Sequence, residues 1–546
     1  MTARMQALLV LAASTVVFLP MLNAPFLNWD DTYYVTNSAR TQTAGWAGLA
    51  QIWSMDDVWD GRFFEYFPVR DTVYWLTYQL FGKNSLPFHL VSVGVHAAAT
   101  LSLFWLSRQF AAPTVALVGA LFFATHPIHV ESVAWVAGLK DPLCFLFCIG
   151  CVGLYERYRH TFATRHYAAA LACLLAALTC KSLALGILPV LLGLELFTEP
   201  QANWSERALR LFGPVLIGCG FAFQFVLMGK LGDVVGEPHG GSWSAHVLLM
   251  AWTMLRYVQQ AFVPVELLFH YCFDALAFPN DARTLALGPA YAALVAGLWA
   301  MIRSRSPLTL WAVWFFSFLL PVANIVPFTA VMADRYLYAP SAGTCVMAAW
   351  GLTRVFSGQR LGFVTAAIVA VFSLTTLSRS VVWRSERDLF AEVVTQAECA
   401  RDGERTSAYV LTKYATLETD PRVALHYFGL GFGNSGFSTI QAPLQCPKWQ
   451  SAGLTAGRLG EWALADVYSQ KAVTLCPKSA RSWAVRAQVR MGRDPTEAVD
   501  AAQRAYALSP TEPYWRVLER ARTQGGTEPE GLTPANPSSE EPVRPF

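Results

Sequence analysis

The chain has 546 residues, of which 54% are hydrophobic and 14% are charged. Soluble globular proteins carry about 25% charged residues, so this composition excludes a soluble fold for most of the chain. The formal net charge of +3 is small for this length and gives no reason to expect a nucleic-acid partner.

Apolar segments that we interpret as membrane spans recur from the N-terminus to about residue 378. The predicted spans, eleven in all, are residues 6–23, 88–107, 112–125, 142–155, 167–180, 183–198, 211–228, 284–302, 308–326, 341–354 and 362–378. The first span resembles a signal peptide because Arg4 precedes an apolar core. No clean cleavage site precedes Asn28, and many spans follow, so we interpret this span as the first anchor.

Basic residues predict the orientation, since Lys and Arg collect on the cytoplasmic side of membrane proteins. The basic loops contain Arg4, Arg108, residues 155–166, Arg207, Arg210, Arg303, Arg305, Arg354 and Arg360. With these loops inside, an odd number of spans places the residues after 378 outside. The apolar segment 244–268 would reverse the loop charges if it crossed, so we predict that it is a re-entrant or surface-lying helix.

This topology places four polar segments together on the outer face. They are NWDDTYYV (28–35), HPIHVESVAWVAGLKD (126–141), KLGDVVGEPHGG (230–241) and ADRYLYAP (333–340). We expect these segments to surround one external cavity.

The chain changes character after residue 378, which divides it into a membrane domain (1–378) and an extracytoplasmic helical domain (379–524). Within the second domain, the spacing of Trp449, Ala452, Gly453, Ala465, Ala472 and Pro477 is that of a tetratricopeptide repeat. A second copy ends at Pro510, 33 residues after Pro477, so the repeats are clearest over 446–512. The alternative is a generic helical hairpin with Ala-rich packing. Stacked repeats present a surface for a protein partner.

The tail, residues 525–546, is rich in Pro, Glu, Gly and Ser and is predicted to be disordered. Cys399, Cys446 and Cys476 lie outside in this topology, where an oxidising compartment permits a disulfide. We expect Cys399 to pair with Cys446, although other pairings are open.

Asp30 and Asp31 stand at the outer membrane surface, where water keeps a carboxylate charged. An acid there can take a proton from an attacking hydroxyl group. The alternative is a helix N-cap or a solvated loop acid, and the local sequence does not exclude it. His126, His129 and Glu131 suggest metal ligands, but His at i and i+3 near a Glu is a weak signal, and interfacial packing or hydrogen bonding to substrate is the favoured interpretation. The sequence indicates no cofactor and no definite metal site.

Cations accompany these acids. Lys140, Lys181 and Arg335 are expected near the outer interface, where each can hold a phosphate group. Snorkelling is the alternative for Lys181, and an ion pair with the neighbouring Asp334 is the alternative for Arg335. Acids and cations in one cavity suit chemistry on a lipid phosphate, because cations hold the leaving phosphate while an acid activates the acceptor.

Four phrases carry a specific resemblance: FLNWDDTYYV, HPIHVESVAWVAGLKDPL, VMADRYLYAP and VVWRSERDLF, in this order and followed by tetratricopeptide repeats. Over residues 20–510 the chain resembles bacterial relatives of the transmembrane and tetratricopeptide repeat-containing (TMTC-type) protein O-mannosyltransferases. The resemblance implies an all-α polytopic membrane protein of the GT-C type with a C-terminal α-solenoid. It also implies that Asp30 is the catalytic base, with Asp31 as its neighbour.

The resemblance further implies a polyprenyl-phosphate-linked sugar as donor, a protein acceptor held by the repeats, and a bacterial inner membrane with a periplasmic catalytic face. Three positions depart from the family pattern: Ser182 after Lys181, Glu195 in place of Asp, and Arg70 in EYFPVRD (65–71). These departures leave the sugar open.

The leading hypothesis is an inverting glycosyltransferase that moves mannose or another hexose to Ser or Thr hydroxyls of an extracytoplasmic protein. One alternative replaces the protein acceptor with an envelope glycan or lipid. The other is a non-catalytic membrane scaffold that recruits envelope proteins through its repeats.

Overall fold

The structure, a computed structural model, is all helical. It describes residues 1–56, 66–198, 203–231, 238–275, 278–304, 306, 308–327, 330–400, 405–434, 437–438, 440 and 442–525. Every regular element within these ranges is a helix, which confirms the predicted all-α class. The tail predicted to be disordered lies outside the described residues from position 526 onward.

The chain forms two compact units. One comprises Met1–Tyr271 with Ala275–Leu389, and the other comprises Cys272–Asp274 with Phe390–Phe546.

The α-helices up to the end of the apolar part are α1 Ala3–Val16, α2 Ala39–Gln42, α3 Gly45–Trp53, α4 Pro68–Phe81, α5 Ser85–Phe110, α6 Pro113–Thr125, α7 Val130–Ala134, α8 Lys140–Thr161, α9 Thr164–Leu178, α10 Ile187–Phe197, α11 Trp204–Leu231, α12 Trp243–Phe262, α13 Leu287–Arg303, α14 Thr309–Leu319, α15 Ser341–Val355 and α16 Gly358–Val382. The remaining α-helices are α17 Glu386–Val394, α18 Arg405–Leu417, α19 Pro421–Gly433, α20 Ala442–Arg458, α21 Trp462–Leu475, α22 Ala480–Arg490, α23 Pro495–Leu508 and α24 Glu512–Gly525.

The first unit is a polytopic membrane unit. Five helices in the described residues are long and apolar enough to cross a bilayer: Ser85–Phe110, Val136–Thr161, Trp204–Leu227, Ala282–Arg303 and Gly358–Val382. The pair Pro113–Thr125 and Pro127–Ala134, bent by 47°, forms a sixth candidate, and four shorter apolar helices coincide with other predicted spans. Eleven spans therefore stay a prediction. Helix α12, which overlaps the segment 244–268 predicted to be re-entrant, is not one of these candidate spans.

Small residues let the central helices α6, α14 and α15 approach closely. A Cβ atom placed on Gly343 of α15 would lie 2.4 Å from the carbonyl oxygen of Trp311 on α14. One placed on Gly119 of α6 would lie 3.2 Å from the Cα of Val346. Close packing through glycine is the usual way in which membrane helices gain contact area. It fixes the end of α6, where the polar segment 126–141 begins, and the start of α15, where the polar segment 333–340 ends.

A buried ion cluster joins α8, α10 and α11. Glu195, which is fully buried, accepts hydrogen bonds from the hydroxyl of Tyr155 at 2.8 Å and from Nη2 of Arg210 at 2.7 Å. Its Oε1 also lies 3.3 Å from Nε of Arg159. Glu195, one of the departures from the family pattern, thus pairs with two arginines inside the helical bundle, and Glu156 supplies a second negative charge at 2.6 Å from Nη1 of Arg159.

The second unit contains the predicted helical repeats. Helices α20 and α21, followed by α22 and α23, form two consecutive helix–turn–helix pairs over the segment where the repeat was clearest. Ala452, Ala465 and Ala472 are completely buried, and a Cβ on Gly453 would lie 3.3 Å from the backbone nitrogen of Ser469. Small residues therefore stand where the paired helices touch, as tetratricopeptide repeats require.

The disulfide prediction was wrong. Cys399 is bonded to Cys272, and Cys446 is bonded to Cys476. Cys446 lies in the first turns of α20 and Cys476 directly follows its partner helix α21, so the hairpin brings their Cα atoms to 6.3 Å. The prediction omitted Cys272, although this residue lies between the predicted spans 211–228 and 284–302 and is therefore on the outer side of the predicted topology.

Candidate functional site

Asp31 is a buried carboxylate that joins two of the predicted polar segments. It is 1% exposed, and its two oxygens accept the backbone N–H groups of Leu27 and Ala137, each at 2.9 Å. Its side chain makes no cap hydrogen bond to the helical turn Thr32–Thr36 that follows, so it does not serve there as an N-cap. Asp31 therefore holds the first loop against the segment that leads into α8.

Asp31 and Asp30 differ in exposure and consequently in what they can do. Burial raises the pKa of Asp31 to about 7, with a further contribution from the charges of Asp30 and Glu386, while the two backbone hydrogen bonds oppose the shift. Asp30 is only half-buried. A ligand can reach the carboxylate of Asp30, whereas both oxygens of Asp31 are occupied by the backbone.

A salt bridge joins the second and fourth polar segments, residues 126–141 and 333–340. Glu131, 2% exposed, accepts the backbone N–H of Arg335 at 2.8 Å and forms an ion pair with Nη1 of the same residue. The Arg335 side chain remains 19% exposed. Its guanidinium carbon lies 5.8 Å from the ring centroid of Trp135 and 5.1 Å from that of Tyr336. The ion pair and the two rings fix the guanidinium group but leave part of it open to a ligand.

Asp334, the residue before Arg335, does not take part in the ion pair between Arg335 and Glu131. It is 4% exposed and accepts a 2.5 Å hydrogen bond from the hydroxyl of Tyr271. Burial and the charge of Glu131 raise the pKa of this carboxyl group well above its usual range. Asp334 is thus oriented by Tyr271, and Arg335 pairs with Glu131 instead.

Lys181 contacts the same tyrosine ring as Arg335 does. Its ammonium group forms an ion pair with Asp141, which is buried, and lies 5.3 Å from the ring centroid of Tyr336. The ring that contacts the Arg335 guanidinium therefore also contacts the Lys181 ammonium. This contact with a buried acid favours an ordered cation over a side chain that snorkels to the interface.

Lys140, the residue before Asp141, lies near a different tyrosine ring from the one that Lys181 contacts. Its Nζ lies 5.6 Å from the ring centroid of Tyr34, and the guanidinium carbon of Arg70 lies 4.1 Å from the same ring. Arg70 is completely buried and pairs with Asp71 at 2.8 Å. The start of α8, at Lys140 and Asp141, thus connects the cations around Tyr34 with those around Tyr336.

Sequence reasoning missed several of these participants. Tyr34 and Tyr336 lie within predicted polar segments but have no predicted role, and Arg70 is predicted only as a departure from the family pattern. Arg40, 2% exposed and 3.8 Å from Asp71, carried no signal beyond its charge near an apolar segment. Glu386, whose carboxylate accepts the backbone N–H of Asn28, brings the fourth family phrase to the first loop.

His126 and His129 lie in the interior. The Nε2 atom of His126 is 3.3 Å from the carbonyl oxygen of Ala261, and that of His129 is 2.8 Å from the hydroxyl of Ser341. Both rings are buried. Their predicted part in substrate binding stays a prediction, and packing accounts for the contacts that they make.

The described residues contain no group of three or more His, Cys, Asp or Glu side chains arranged to hold a metal ion. The site does contain carboxylates and cations. Asp30 and Asp31 lie on the first loop, and Lys140, Lys181 and Arg335 are linked through Asp141 and two tyrosine rings. Such an arrangement can hold an anionic group and accept a proton.

Comparison with known proteins identifies similar membrane transferases. No family model matches the chain. It is 25% identical over 411 residues to the protein O-mannosyl-transferase F38B6.6 of Caenorhabditis elegans, covering 70% of this chain and 56% of that protein. It is 26% identical over 456 residues to the human protein O-mannosyl-transferase TMTC1, covering 70% of this chain and 50% of that protein. The resemblance to TMTC-type proteins is thereby confirmed.

The chain spans about half the length of the curated relatives that it matches. Among solved structures, it is similar to the crystal structure of ArnT from Cupriavidus metallidurans bound to undecaprenyl phosphate. That match has a TM-score of 0.40 and 15% identity, and it covers 88% of this chain and 81% of ArnT. At this level we compare no individual residues.

Proposed function

We propose that the chain is a membrane glycosyltransferase that moves a sugar from a polyprenyl-phosphate donor to a Ser or Thr hydroxyl of an extracytoplasmic protein, with inversion. The observation that carries the proposal is the arrangement of Lys181 and Arg335 around one ring, Tyr336, in a unit whose first loop bears an acidic pair. The similarity to protein O-mannosyl-transferases supports the type of reaction.

In this mechanism the acceptor oxygen attacks the anomeric carbon as the bond from that carbon to the donor phosphate oxygen breaks. Asp30 takes the hydroxyl proton, because it is the more accessible of the two acids. Asp31 positions Asp30 by fixing the loop to Ala137. The electron pair of the broken bond leaves with the polyprenyl phosphate.

The leaving phosphate gains negative charge as the bond breaks, so fixed cations beside it lower the barrier. Arg335 and Lys181 meet this requirement, because Glu131 and Asp141 hold them before a ligand arrives. Lys140 is the third cation of the proposed phosphate site. Glu131, Asp334, His126 and His129 are proposed to shape the substrate site around these groups.

The proposal places the catalytic face and the second unit outside the cytoplasm, in the periplasm of a bacterium with this unit anchored in the inner membrane. Both disulfides belong to the second unit, and disulfides persist mainly in oxidising compartments. The helical repeats of that unit are proposed to hold the protein acceptor, as stacked repeats commonly bind peptides.

The test uses purified protein in detergent with polyprenyl-phosphate mannose and an acceptor peptide. Asp30→Asn should lower kcat by about 10²–10⁴-fold, the usual contribution of a general base. Asp56→Asn, which changes an exposed carboxylate after α3, should leave kcat unchanged. The anomeric configuration of the product, read by NMR, tests inversion. Undiminished transfer by Asp30→Asn would remove the assigned base, and an absence of any transfer by wild type would favour the scaffold alternative.

A further inference from the structure

Glu386 ties the first loop to the end of the last apolar helix. Its Oε1 accepts the backbone N–H of Asn28, which is 358 residues away in the chain. Asn28 lies two residues before Asp30, and Glu386 is the first residue of α17, shortly after α16 ends at Val382. The acidic loop is thus held by a residue that the proposed mechanism does not use.

Trp383, on the same segment, supports this loop through an aromatic contact. Its ring is 2% exposed and lies 6.3 Å from that of Phe269, measured between centroids. The ring of Phe269 lies 5.8 Å from that of Trp29, the residue before Asp30. Residues 383–386 therefore support the loop at its backbone and, through Phe269, at a side chain.

The loop forms a closed turn, to which Glu386 adds a second anchor. The Leu27 N–H donates to Oδ2 of Asp31 and closes the turn around Asp30. The Ala137 N–H donates to Oδ1 of Asp31 and provides the first anchor. A turn anchored at a single point can rotate about that point, so a second anchor restricts the orientation of the turn and of the Asp30 carboxylate that it carries.

The same segment also contacts the cationic part of the site. The ring of Trp383 lies 6.1 Å from that of Trp135, whose centroid is 5.8 Å from the guanidinium carbon of Arg335. Inversion requires the acceptor and the leaving group to lie on opposite sides of the anomeric carbon. The base and the phosphate site must therefore be held at a fixed separation before the reaction begins. Residues 383–386 contact the supports of both.

We propose that Glu386 is a positioning residue of the transfer reaction, which holds the turn that carries Asp30 in the orientation required for proton transfer. This inference rests on the proposed function, because it assumes that Asp30 is the base. The role requires an oxygen atom that accepts the Asn28 N–H. It does not require a negative charge or contact with the substrate.

Two substitutions separate the hydrogen bond from the charge. Glu386→Gln keeps a carbonyl oxygen for the Asn28 N–H, whereas Glu386→Ala removes it. The assay uses the purified full chain with polyprenyl-phosphate mannose and an acceptor peptide. Glu386→Ala should lower kcat about 10–100-fold and leave the KM of the donor unchanged, as expected for a base displaced by about 1 Å, and Glu386→Gln should lower kcat less than about three-fold.

Asp388→Ala is the matched control, because Asp388 is an exposed acid in the same first turn of α17. It should leave kcat and the KM of the donor unchanged. The hydrogen bond of Glu386 is exposed to solvent, so its loss leaves no buried donor without a partner. Glu386→Ala should therefore unfold at the same temperature as Asp388→Ala.

A double mutant identifies the residue through which Glu386 acts. In an Asp30→Asn background, Glu386→Ala should lower kcat no further, because the base that it positions is already absent. In an Arg335→Lys background, its effect on kcat should be undiminished. A full effect of Glu386→Ala in the Asp30→Asn background would show a general structural role and overturn the proposal.

The single variants also distinguish this inference from the proposed function. Wild-type kcat in Glu386→Ala, or equal impairment of Glu386→Gln and Glu386→Ala, would overturn the positioning role, while transfer by wild type would leave the proposed function intact. An absence of transfer by wild type would remove the proposed function and this inference together.

Discussion

Asp31 and Ala137 are 106 residues apart in the chain, and a 2.9 Å hydrogen bond from the backbone N–H of Ala137 to the Asp31 carboxylate joins them. The other carboxylate oxygen accepts the N–H of Leu27 at the same distance. Asp31 is therefore a structural link between the first loop and the segment that starts α8. This role distinguishes it from Asp30, although the sequence presents the two acids as an adjacent pair.

Asp31→Asn should destabilise the fold more than Asp30→Asn does. An amide keeps one acceptor oxygen but places an NH₂ group against a backbone N–H, so one buried hydrogen bond is lost and a donor faces a donor. The expected cost is about 1–3 kcal/mol. Thermal unfolding in detergent measures it, and Asp56→Asn is the control. An Asp31→Asn variant as stable as wild type would contradict the structural role.

The stability of the protein should depend on pH through Asp31. This residue lies in a loop outside the membrane-spanning helices, and its pKa is raised from 3.8 to about 7, chiefly by burial. The folded state therefore holds the proton more tightly than the unfolded state does. The stabilisation is complete below about pH 4 and is lost as the pH rises toward about 7.

Unfolding temperatures measured between about pH 4 and 7 test this dependence on Asp31 protonation. As the pH rises, the unfolding temperature of wild type should fall relative to that of Asp31→Asn, because Asn has no proton to lose. Other acids titrate in both proteins, so the difference is the informative quantity. A difference that is flat across this window would show that Asp31 is ionised in the folded state throughout.

Arg335→Lys should weaken the binding of the donor while the positive charge is kept. Nη1 of Arg335 is used by Glu131, so the rest of the planar guanidinium group remains for a phosphate oxygen. A lysine has one nitrogen for both purposes. We expect the KM for the polyprenyl-phosphate sugar to rise about ten-fold, equivalent to about 1.4 kcal/mol.

Arg283→Lys is the control for this substitution, since it changes an arginine that pairs with Asp281 and whose side chain is 38% exposed. It should leave the KM of the donor unchanged. Donor binding by Arg335→Lys equal to that of wild type would remove Arg335 from the proposed phosphate site without removing Lys181.

The residues of the candidate site were predictable from sequence, but their partners were not. Lys181, Asp31 and Arg335 are conspicuous because a charge beside an apolar segment needs water or a counter-charge. The sequence suggested that Arg335 pairs with its neighbour Asp334. In the structure its partner is Glu131, 204 residues away, and Asp334 instead accepts a hydrogen bond from Tyr271. Periodicity describes local structure and contains no information on such distant contacts.

The helical class was predictable from the composition, but the residues at which the helices begin and end were not. Apolar composition requires helices in a bilayer, because every backbone polar group must find a partner within the chain. Where a helix ends depends on local breaks. At His126, between α6 and the turn Pro127–His129, the chain bends within one predicted outer segment. The cysteine pairing failed because Cys272 and Cys399 are 127 residues apart, and local sequence patterns contain no information on a contact at that separation.

Glu195→Gln should destabilise the membrane unit strongly. The Glu195 carboxylate, fully buried, faces Arg159 and Arg210, and a neutral amide would leave two buried arginines without this counter-charge. Breaking a buried ion pair costs about 3–5 kcal/mol. Unfolding by titration with a denaturing detergent measures the loss, and Glu206→Gln, an exposed acid on α11, is the control. Equal stability of the two variants would show that the arginines are satisfied without Glu195.

The disulfides provide the last prediction, because they test both the pairing and the compartment. Seven cysteines are free, and the sequence contains 11. Maleimide labelling of the denatured, unreduced protein should therefore modify seven thiols, and labelling after reduction should modify all 11. Mass spectrometry of an unreduced digest should find peptides that link Cys272 to Cys399 and Cys446 to Cys476.

Removing one bridge should also lower stability. The loop between Cys446 and Cys476 spans 30 residues, for which chain entropy predicts a loss of about 3.6 kcal/mol when both are changed to Ser. Cys219→Ser, which changes an exposed free thiol, is the control. Peptides linking Cys399 to Cys446 would contradict the pairing. Complete labelling of protein isolated without reductant would show that the second unit resides in a reducing compartment, and the proposed extracytoplasmic site would then be wrong.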